Sequence, residues 1–469
     1  MSLPVLSIAQ MREWERASWA SGHSQAEVIQ KVGCRIAVAC LQATGLGDRV
    51  LILAGKGHNG EDARAAAGEL KGRDVVLFNV GDPGTDLARL LQELARRPAL
   101  VVDGLFGIGL DRPLGEAWIA FIRCLNEAAL RVVAVDVPSG LDADTGKPQG
   151  EAVKAWKTMT VGAPKKGLLE EPAGAWVGRL EVAEDVGLAP CKVAGELVWT
   201  TPGDFSDYPP VRPVESHKGT HGHLAIVAGS LGYHGAAVLA ARGAQRAQPG
   251  LITLHTSDSV YFPIATQLQA VMVRLLEQGT KLQGDWTAHL IGPGLAGLQG
   301  VETASALTRL LWRDSLLPVV VDASALDWLT LNAVPRNTLR VITPHPGEAA
   351  RLLRIPPAAV QANRLDALRR LSRQMGNGWV VLKGHHTLIG RSTGEVFVNP
   401  SGNPFLAQGG SGDVLAGYMA GLLAQPALQG DLSIALRYAV WQHGLAADRL
   451  LATRPNWIVE ELVQEIGLR

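Results

Sequence analysis

Apolar runs alternate with stretches of helical periodicity along the first part of the chain. A helical pattern over about residues 7–43 is followed by runs typical of buried strands at residues 49–54, 74–79, 99–103 and 131–136. Helical patterns separate these runs, for instance at residues 85–97 and 116–129. Such alternation predicts a parallel sheet covered by helices on both faces.

The alternation stops and then resumes. Residues 193–213 are rich in proline and poorly periodic, and strand-like runs return at residues 223–228, 251–254, 317–321 and 379–382. We therefore predict a second α/β domain, and we place the domains at residues 1–205 and 206–469. Ligands of open α/β sheets bind beyond the carboxyl ends of the strands, where both halves carry clusters of Gly, Asp and His.

Composition excludes several classes of function. Lys plus Arg and Asp plus Glu both number 44, so no charge excess favours nucleic acid or an anionic membrane as a partner. The sequence has no apolar run of membrane-spanning length and no secretion signal, and we expect a cytoplasmic protein. Four cysteines, Cys34, Cys40, Cys124 and Cys191, lack metal-type spacing, which favours free thiols in a reducing compartment.

Polar residues follow three strands of the first half. Residues 55–60, GKGHNG, match G-x-G-x-x-G, but the next strand ends in Asn79 where an ordinary dehydrogenase has an acidic residue. Asp103 and Asp136 end the later strands, and with Asn59 they could coordinate a hard cation or act as acid and base. Strand-capping turns remain an alternative for these two aspartates, and a solvated loop is favoured for Asp142.

A glycine-rich segment in the second half predicts an anion site. Residues 399–413, NPSGNPFLAQGGSGD, precede an apolar run that is typical of a helix. The backbone N–H groups of residues 409–412 would then bind phosphate, and Asp413 could take a hydroxyl proton during phosphoryl transfer. A simple glycine-rich turn is the alternative. No P-loop consensus occurs in the sequence, and structural roles compete with binding for His345 and Lys383 and are preferred for His217 and His221.

The first half resembles the NAD(P)H-hydrate epimerase family over about residues 6–187. The resemblance depends on the glycine-rich motif at residues 55–60, D-x-x-F-G-x-G from Asp103, and DVPSGLDADTG at residues 136–146. It implies K⁺ ligation by Asn59, Asp103 and Ser139, and it implies that Asp136 transfers the proton. It also implies substrate contacts by His58, Asn59, Gly60, Glu61, Asp62, Gly107, Ile108, Gly109, Leu110, Asp111, Arg112, Pro113 and Asp136. His58, Glu61 and Ala63 depart from the family pattern, and Glu61 brings a charge close to the implied substrate position.

The second half resembles the ribokinase-like ADP-dependent NAD(P)H-hydrate dehydratase family from about residue 216. The matching motifs are SHKGT, GSxxY, TPHPGE, LKG and GNP…GGSGD. The resemblance implies substrate contacts by Ala236, Gly294, His345 and Asp413. It implies nucleotide contacts by Lys383, Gly384, His385, His386, Thr387, Gly409, Gly410, Ser411 and Gly412. Ser324 replaces an aspartate of the family, whereas Asp322 is present.

Together the resemblances imply a bifunctional repair enzyme with an N-terminal Rossmann-like three-layer α/β/α domain and a C-terminal ribokinase-like α/β domain. It would epimerise R and S hydrates and dehydrate the S hydrate by phosphorylating its C6 hydroxyl and eliminating phosphate. Implied cofactors are K⁺, ADP or ATP as phosphoryl donor, and Mg²⁺. We expect small-molecule partners (hydrated NADH or NADPH, and ADP), a homo-oligomer, and neither nucleic acid nor membrane. Alternatives are a ribokinase-class small-molecule kinase and a non-catalytic nucleotide-binding N-terminal module.

Overall fold

The computed structural model describes residues 2–276, 282, 284–299, 301–330 and 338–468. Internal contacts divide the chain into two compact units, residues 3–196 and residues 197–468 together with residue 2. The division precedes our predicted boundary at 205/206 because a strand at Leu197–Trp199 pairs with Val396–Val398 in the sheet of the second unit. Among the described residues, no helix is both long enough and apolar enough to cross a membrane.

The N-terminal unit contains a parallel sheet with helices on both faces. The strands of this sheet are β2 (Arg49–Ala54), β3 (Asp74–Asn79), β4 (Leu100–Gly104), β5 (Val132–Val135), β6 (Lys157–Val161) and β7 (Arg179–Ala183); the two-residue strand β1 (Leu3–Pro4) is not part of it. Its helices are α1 (Ile8–Ala20), α2 (Gln25–Ala43), α3 (His58–Glu69), α4 (Pro83–Ala95) and α5 (Glu116–Glu127). The strand order is β3-β2-β4-β5-β6-β7. One core packs α2 and α3 on one face, and another packs α4 and α5 on the other. This arrangement confirms the predicted three-layer class.

Two features of this unit differ from the sequence prediction. The helical segment over residues 7–43 is interrupted after Ala20, where Gly22 has φ +92° and Ser24 caps a new helix by accepting from the Glu27 amide. Strands β6 and β7 were not predicted because polar residues interrupt their apolar patterns. The structure explains these polar residues, since the buried Lys157 of β6 pairs with Glu181 of β7 at 2.9 Å.

The C-terminal unit contains a larger mixed sheet. Its strands are β8 (Leu197–Trp199), β9 (His223–Val227), β10 (Leu251–Thr256), β11 (Met272–Leu275), β12 (Ala288–Ile291), β13 (Val319–Val321), β14 (Arg340–Ile342), β15 (Trp379–Leu382), β16 (Leu388–Gly390) and β17 (Val396–Val398). Its helices are α6 (His234–Ala247), α7 (Tyr261–Ala265), α8 (Glu302–Asp314), α9 (Pro346–Leu353), α10 (Pro357–Ala362), α11 (Arg364–Gln374), α12 (Ser411–Leu423), α13 (Leu432–Thr453) and α14 (Val459–Glu465). The strand order is β8-β17-β16-β15-β14-β13-β12-β9-β10-β11, in which β16 is antiparallel to both neighbours.

Helix α12, predicted from the apolar run after Asp413, is buried along nearly its whole length against α6. The contact depends on glycine. A Cβ at Gly417 would lie 1.9 Å from the carbonyl oxygen of Ala240, and one at Gly243 would lie 2.4 Å from that of Val414. Backbone-to-backbone packing of this kind fixes the position of the α12 N-terminus, where the glycine-rich segment ends.

Two candidate active sites

A cavity of about 1070 Å³ lies at the carboxyl ends of the strands in the N-terminal unit. This volume is slightly above the range of about 300–1,000 Å³ that is typical of small-molecule and cofactor sites. The predicted substrate contacts that line it are His58, Asn59, Asp62, Gly107, Ile108, Gly109, Leu110, Asp111, Arg112, Pro113 and Asp136. Gly60 and Glu61 are not among the lining residues. The Glu61 side chain therefore does not border the cavity, although its position in the motif suggested that it would.

The turn from β2 into α3 depends on two glycines. A Cβ at Gly60 would lie 2.0 Å from the Gly55 carbonyl oxygen, and a Cβ at Gly55 would lie 2.2 Å from the Leu105 carbonyl oxygen. Any side chain at either position would force backbone to move. The glycines thus allow the turn to lie directly against the loop after β4.

Asn59, Asp103 and Ser139, which the resemblance implied as K⁺ ligands, lie close together behind this turn. The Ser139 amide donates to Asp103 Oδ2 at 2.8 Å, and the Ser139 hydroxyl donates to Asp103 Oδ1 at 2.6 Å. Asn59 Nδ2 donates to the carbonyl oxygens of Phe106 (2.8 Å) and Val135 (3.0 Å). Asp103 is fully buried, and this burial raises its pKa to about 6 although the hydrogen bonds from Ser139 act in the opposite direction.

Asp136 follows β5 in the left-handed region, with φ +63°. Its Oδ1 accepts from Lys165 Nζ at 2.5 Å and from the Val161 amide at 3.0 Å. Lys165 is fully buried and also donates to Thr160 Oγ1 at 3.1 Å. Sequence reasoning missed Lys165, because two consecutive lysines after β6 carry no local sign that one of them will meet a residue that follows β5.

Two further acids border the cavity. Burial raises the pKa of Asp62 to about 8, and the neighbouring negative charges of Asp136, Glu61 and Glu15 add to the effect. Burial likewise raises the pKa of Glu15. Glu15 lies on α1 and was also missed, since a single acidic residue in an amphipathic helix is ordinary.

In the C-terminal unit, a cation and two carboxylates meet at the ends of β13 and β15. Lys383 Nζ lies 2.9 Å from Asp322 Oδ1 and 4.0 Å from Glu348 Oε2. The same oxygen of Asp322 accepts from Thr343 Oγ1 at 2.6 Å. Burial alone would lower the pKa of Lys383, but the charges of Asp322 and Glu348 raise it.

Asp413 lies in the first turn of α12, a helix that begins directly after Gly410, which has φ +96°. A Cβ at Gly412 would lie 3.4 Å from Lys383 Nζ, so the lysine reaches the N-terminus of this helix. Burial raises the pKa of Asp413 to about 7; the charge of Asp322 adds to the effect, and Lys383 opposes it. The cation, the carboxyl group and the N-terminal N–H groups of α12 are therefore adjacent, and of these N–H groups that of Ser411 also donates to the Gln408 carbonyl oxygen at 3.3 Å.

Arg364 of α11 binds the backbone of the predicted nucleotide loop after β15. Its guanidinium donates to the carbonyl oxygens of Leu382 (3.1 Å) and His386 (3.2 Å), and also to that of His385. The two histidine rings lie 3.8 Å apart, and His386 is buried against Trp199. The structure thus gives His386 a packing role and leaves His385 exposed. Arg364 was missed, since it lies outside the loop's motif, at the start of the helix that precedes β15.

The remaining predicted contacts form two smaller groups. A Cβ at Gly294 would lie 2.9 Å from the Ala236 Cβ, so these two residues are adjacent, and Ser230 fixes the loop by donating to the Gly294 carbonyl oxygen at 2.7 Å. His345 caps α9, where its Nδ1 accepts from the Gly347 amide at 3.0 Å. About half of the His345 side chain remains exposed. His345 therefore has a structural role as the cap of α9, and its exposed ring can still contact a ligand.

Comparisons with known proteins bear on both units. One family model, described as NAD(P)H-hydrate dehydratase, matches residues 224–466, and another, described as YjeF-related protein N-terminus, matches residues 78–167. The chain is 35% identical to the bifunctional NAD(P)H-hydrate repair enzyme Nnr of Gloeobacter violaceus, over 99% of this chain and 97% of that protein. It is 34% identical to the enzyme of the same name from Coxiella burnetii, over 94% and 93% respectively.

Solved structures resemble the C-terminal unit. A ribokinase-like superfamily protein from Enterococcus faecalis is 27% identical, with a TM-score of 0.50 over 58% of this chain and 94% of that one. An ADP/ATP-dependent NAD(P)H-hydrate dehydratase from Bacillus subtilis, crystallised with ATP and Mg²⁺, is 32% identical, with a TM-score of 0.49 over 55% of this chain and 91% of that one. The first of these likenesses supports the predicted ribokinase-like fold.

Proposed function

The chain belongs to the family of bifunctional NAD(P)H-hydrate repair enzymes, and on that premise we propose which residues carry its two reactions. The N-terminal half epimerises the R and S hydrates of NADH and NADPH. The C-terminal half dehydrates the S hydrate back to NAD(P)H in a nucleotide-dependent reaction. The two reactions together recover all of the damaged cofactor, since the dehydration accepts one epimer and the epimerisation supplies it.

The dehydration must convert a poor leaving group into a good one. Hydroxide leaves the C6 carbon with difficulty, whereas phosphate leaves readily once the lone pair of the ring nitrogen assists. Asp413 takes the proton of the C6 hydroxyl group. The hydroxyl oxygen of the substrate attacks the terminal phosphorus of the nucleotide at the same time. With ADP as donor, the products are AMP, phosphate and NAD(P)H. The observation that carries this assignment is the position of Asp413, a half-buried carboxyl group in the first turn of α12 beside Lys383.

The nucleotide is held at the same helix terminus. The N–H groups of residues 409–412 and the Lys383 ammonium offer positive potential to the migrating phosphoryl group. Loop residues Gly384, His385 and Thr387 lie beside Lys383 and would contact the rest of the nucleotide. Mg²⁺ would be held chiefly by the nucleotide's own phosphates, because the nearby carboxylate of Asp322 already pairs with Lys383. ADP is the proposed donor and ATP the alternative.

In the epimerase half, Asp136 is the proposed proton-transfer group, and Asn59, Asp103 and Ser139 the K⁺ ligands. Asn59, Asp103 and Ser139 fit K⁺ because each side chain carries an oxygen atom that can ligate a metal, and hard cations prefer oxygen ligands. Asp103 is fully buried, and within the described residues no cationic side chain pairs with it. A bound cation would neutralise this carboxylate and join the loops after β4 and β5. That Glu61 does not line the cavity supports a catalytic unit over a non-catalytic binding module.

Exchange of the monovalent cation tests the epimerase assignment. The rate at which an isolated epimer converts to the equilibrium mixture is measured in K⁺ and in tetramethylammonium. We expect acceleration over the spontaneous rate in K⁺ alone, and loss of that acceleration in Asp136→Asn. Equal acceleration in both salts would contradict the cation site.

We also propose a cytoplasmic homo-oligomer, which cell fractionation and light scattering of the purified chain would test.

A further inference from the structure

We propose that Asp62 is a second catalytic acid of the epimerase site, which protonates the ring nitrogen of the substrate while Asp136 takes the proton of the C6 hydroxyl. This inference rests on the proposed function of Asp136 and extends it. In this arrangement two carboxyl groups line one cavity: Asp62 gives a proton to the substrate, and Asp136 takes one from it.

The Asp62 side chain is placed for contact with a ligand. Asp62 lies near the N-terminus of α3, one residue beyond its first turn, is 8% exposed, and lines the cavity. Within the described residues its carboxyl group has neither a hydrogen bond nor an ion pair. Asp103 differs in this respect, since its carboxylate accepts hydrogen bonds from Ser139 and Leu105. A buried carboxyl group without a protein partner is costly unless it is neutral or meets a ligand.

Asp136 is arranged for the opposite role. The donors from Lys165, Val161 and Thr160 all reach Oδ1. In the described part of the chain, Oδ2 has no hydrogen-bond donor, and Asp136 lines the cavity. The ion pair with Lys165 therefore leaves one carboxylate oxygen available to accept a proton from the substrate.

Burial, together with the charges around it, keeps Asp62 protonated at neutral pH. Burial is the main cause of its pKa of about 8, and the carboxylates of Asp136, Glu61 and Glu15 raise the pKa further. Lys165 acts in the opposite direction but is paired with Asp136. Two carboxyl groups with opposite protonation states are a common arrangement for acid–base chemistry.

The substrate's chemistry requires such a pair. C6 carries both a hydroxyl group and the ring nitrogen, so it is a hemiaminal carbon. Its epimers interconvert when the O–H proton passes to Asp136, the C6–N1 bond breaks, and a carbonyl group forms at C6. The electron pair of that bond remains on N1, which takes the proton of Asp62. After rotation about C5–C6, N1 attacks the other carbonyl face, and both protons return to their donors, so no further reactant is needed.

The test uses the full chain and an isolated epimer, and the spontaneous rate is subtracted. We expect Asp62→Asn to lower the enzymatic epimerisation rate by about 100-fold or more, in the range of lost general acid catalysis. Nucleotide-dependent dehydration of the S hydrate by the same preparation should be unchanged. The wild-type epimerisation rate should fall as the pH rises through about 8, because Asp62 then loses its proton. Asp62→Glu should restore part of the rate together with this alkaline decline. Glu69→Gln, an exposed acid at the end of the same helix, is the matched control.

Two results would overturn the inference. One is an Asp62→Asn chain that epimerises at the wild-type rate. The other is a wild-type profile that does not decline above neutral pH, a result that does not depend on whether any variant folds. If Asp136→Asn keeps full epimerase activity, the proposed role of Asp136 fails independently of Asp62. The two proposals are thus distinguishable.

Discussion

Lys383 and Asp322 are joined by an ion pair of 2.9 Å, although they follow different strands, β15 and β13, that are separated in the sheet by β14. The pair holds the ammonium group beside the N-terminus of α12. The carboxylate is 2% exposed, so the ammonium group is its principal compensation. This relationship positions a cation where the proposed phosphoryl group passes from the nucleotide to the hydrate.

Lys383→Met should weaken use of the nucleotide. A hydrogen bond to a charged group contributes about 1.5–3 kcal/mol, which corresponds to a rise in KM for ADP of roughly 10- to 100-fold. Steady-state dehydration of the S hydrate at varied ADP measures the change. Epimerisation by the same chain is the internal control and should be unaffected. An unchanged KM for ADP would show that Lys383 has a structural role alone.

The dehydration rate should rise with pH through about 7, because Asp413 must be ionised to accept the hydroxyl proton and its pKa lies at about 7. Below this pH the carboxyl group is protonated and cannot act as a base. Asp413→Asn should lower the rate by about 10²- to 10⁴-fold and abolish this dependence. The measurement is kcat/KM for the S hydrate from pH 5.5 to 9, roughly the range in which a group of this pKa titrates. A profile that is flat in the wild type would argue against Asp413 as the base.

Gly60→Ala should impair the epimerase half. The added Cβ would lie 2.0 Å from the Gly55 carbonyl oxygen, so the turn that carries Asn59 must shift. We expect a loss of stability of about 1–3 kcal/mol and an epimerisation rate near the spontaneous one. Gly68→Ala, in the same helix with open space around its Cβ, is the control. It should be neutral or stabilising by about 0.5–1 kcal/mol. Similar denaturation midpoints for the two variants would contradict the account of this turn.

Arg364→Met should disturb the nucleotide loop selectively. Its guanidinium donates to backbone carbonyl groups in the segment 382–386. Two residues of this segment, Gly384 (φ +138°) and His386 (φ +51°), have positive φ. Loss of these donors should raise KM for ADP about 10-fold or more, with a smaller effect on binding of the hydrate. Arg369→Met is the control. That side chain lies on the same helix but donates to Arg391 and Gly394 in the turn between β16 and β17. Equal effects of both variants would indicate general destabilisation.

The fold class and much of both sites could be predicted from the sequence, because strands β2 to β5 are continuous apolar runs and the polar motifs directly follow strands. Strands β6, β7 and β14 were among those not predicted, since they are short and each begins with a basic residue, Lys157, Arg179 and Arg340 respectively. The buried guanidinium of Arg340 has a hydrogen-bond partner in the structure, since its Nε donates to the Trp312 carbonyl oxygen at 2.6 Å.

The missed site residues share a physical reason. Lys165, Glu15 and Arg364 lie on elements other than the predicted motifs, after β6, on α1 and at the start of α11, and each is ordinary in its local context. Tertiary packing gives them their roles: Lys165 pairs with Asp136, and Arg364 holds the loop after Lys383. Sequence patterns reveal residues within a motif, whereas partners supplied by a different element require the fold.

The most direct test of the division of labour is one progress curve, recorded with a mixture of R and S hydrates, ADP, Mg²⁺ and K⁺. The wild-type chain should return all of the hydrate to NAD(P)H, with one AMP formed per NAD(P)H. Asp136→Asn should return the S fraction rapidly and the rest at the spontaneous rate of epimerisation. Asp413→Asn should return almost none, while still bringing the epimers to equilibrium. Full recovery of NAD(P)H by the Asp413→Asn chain, or a single rapid phase with Asp136→Asn, would contradict the account.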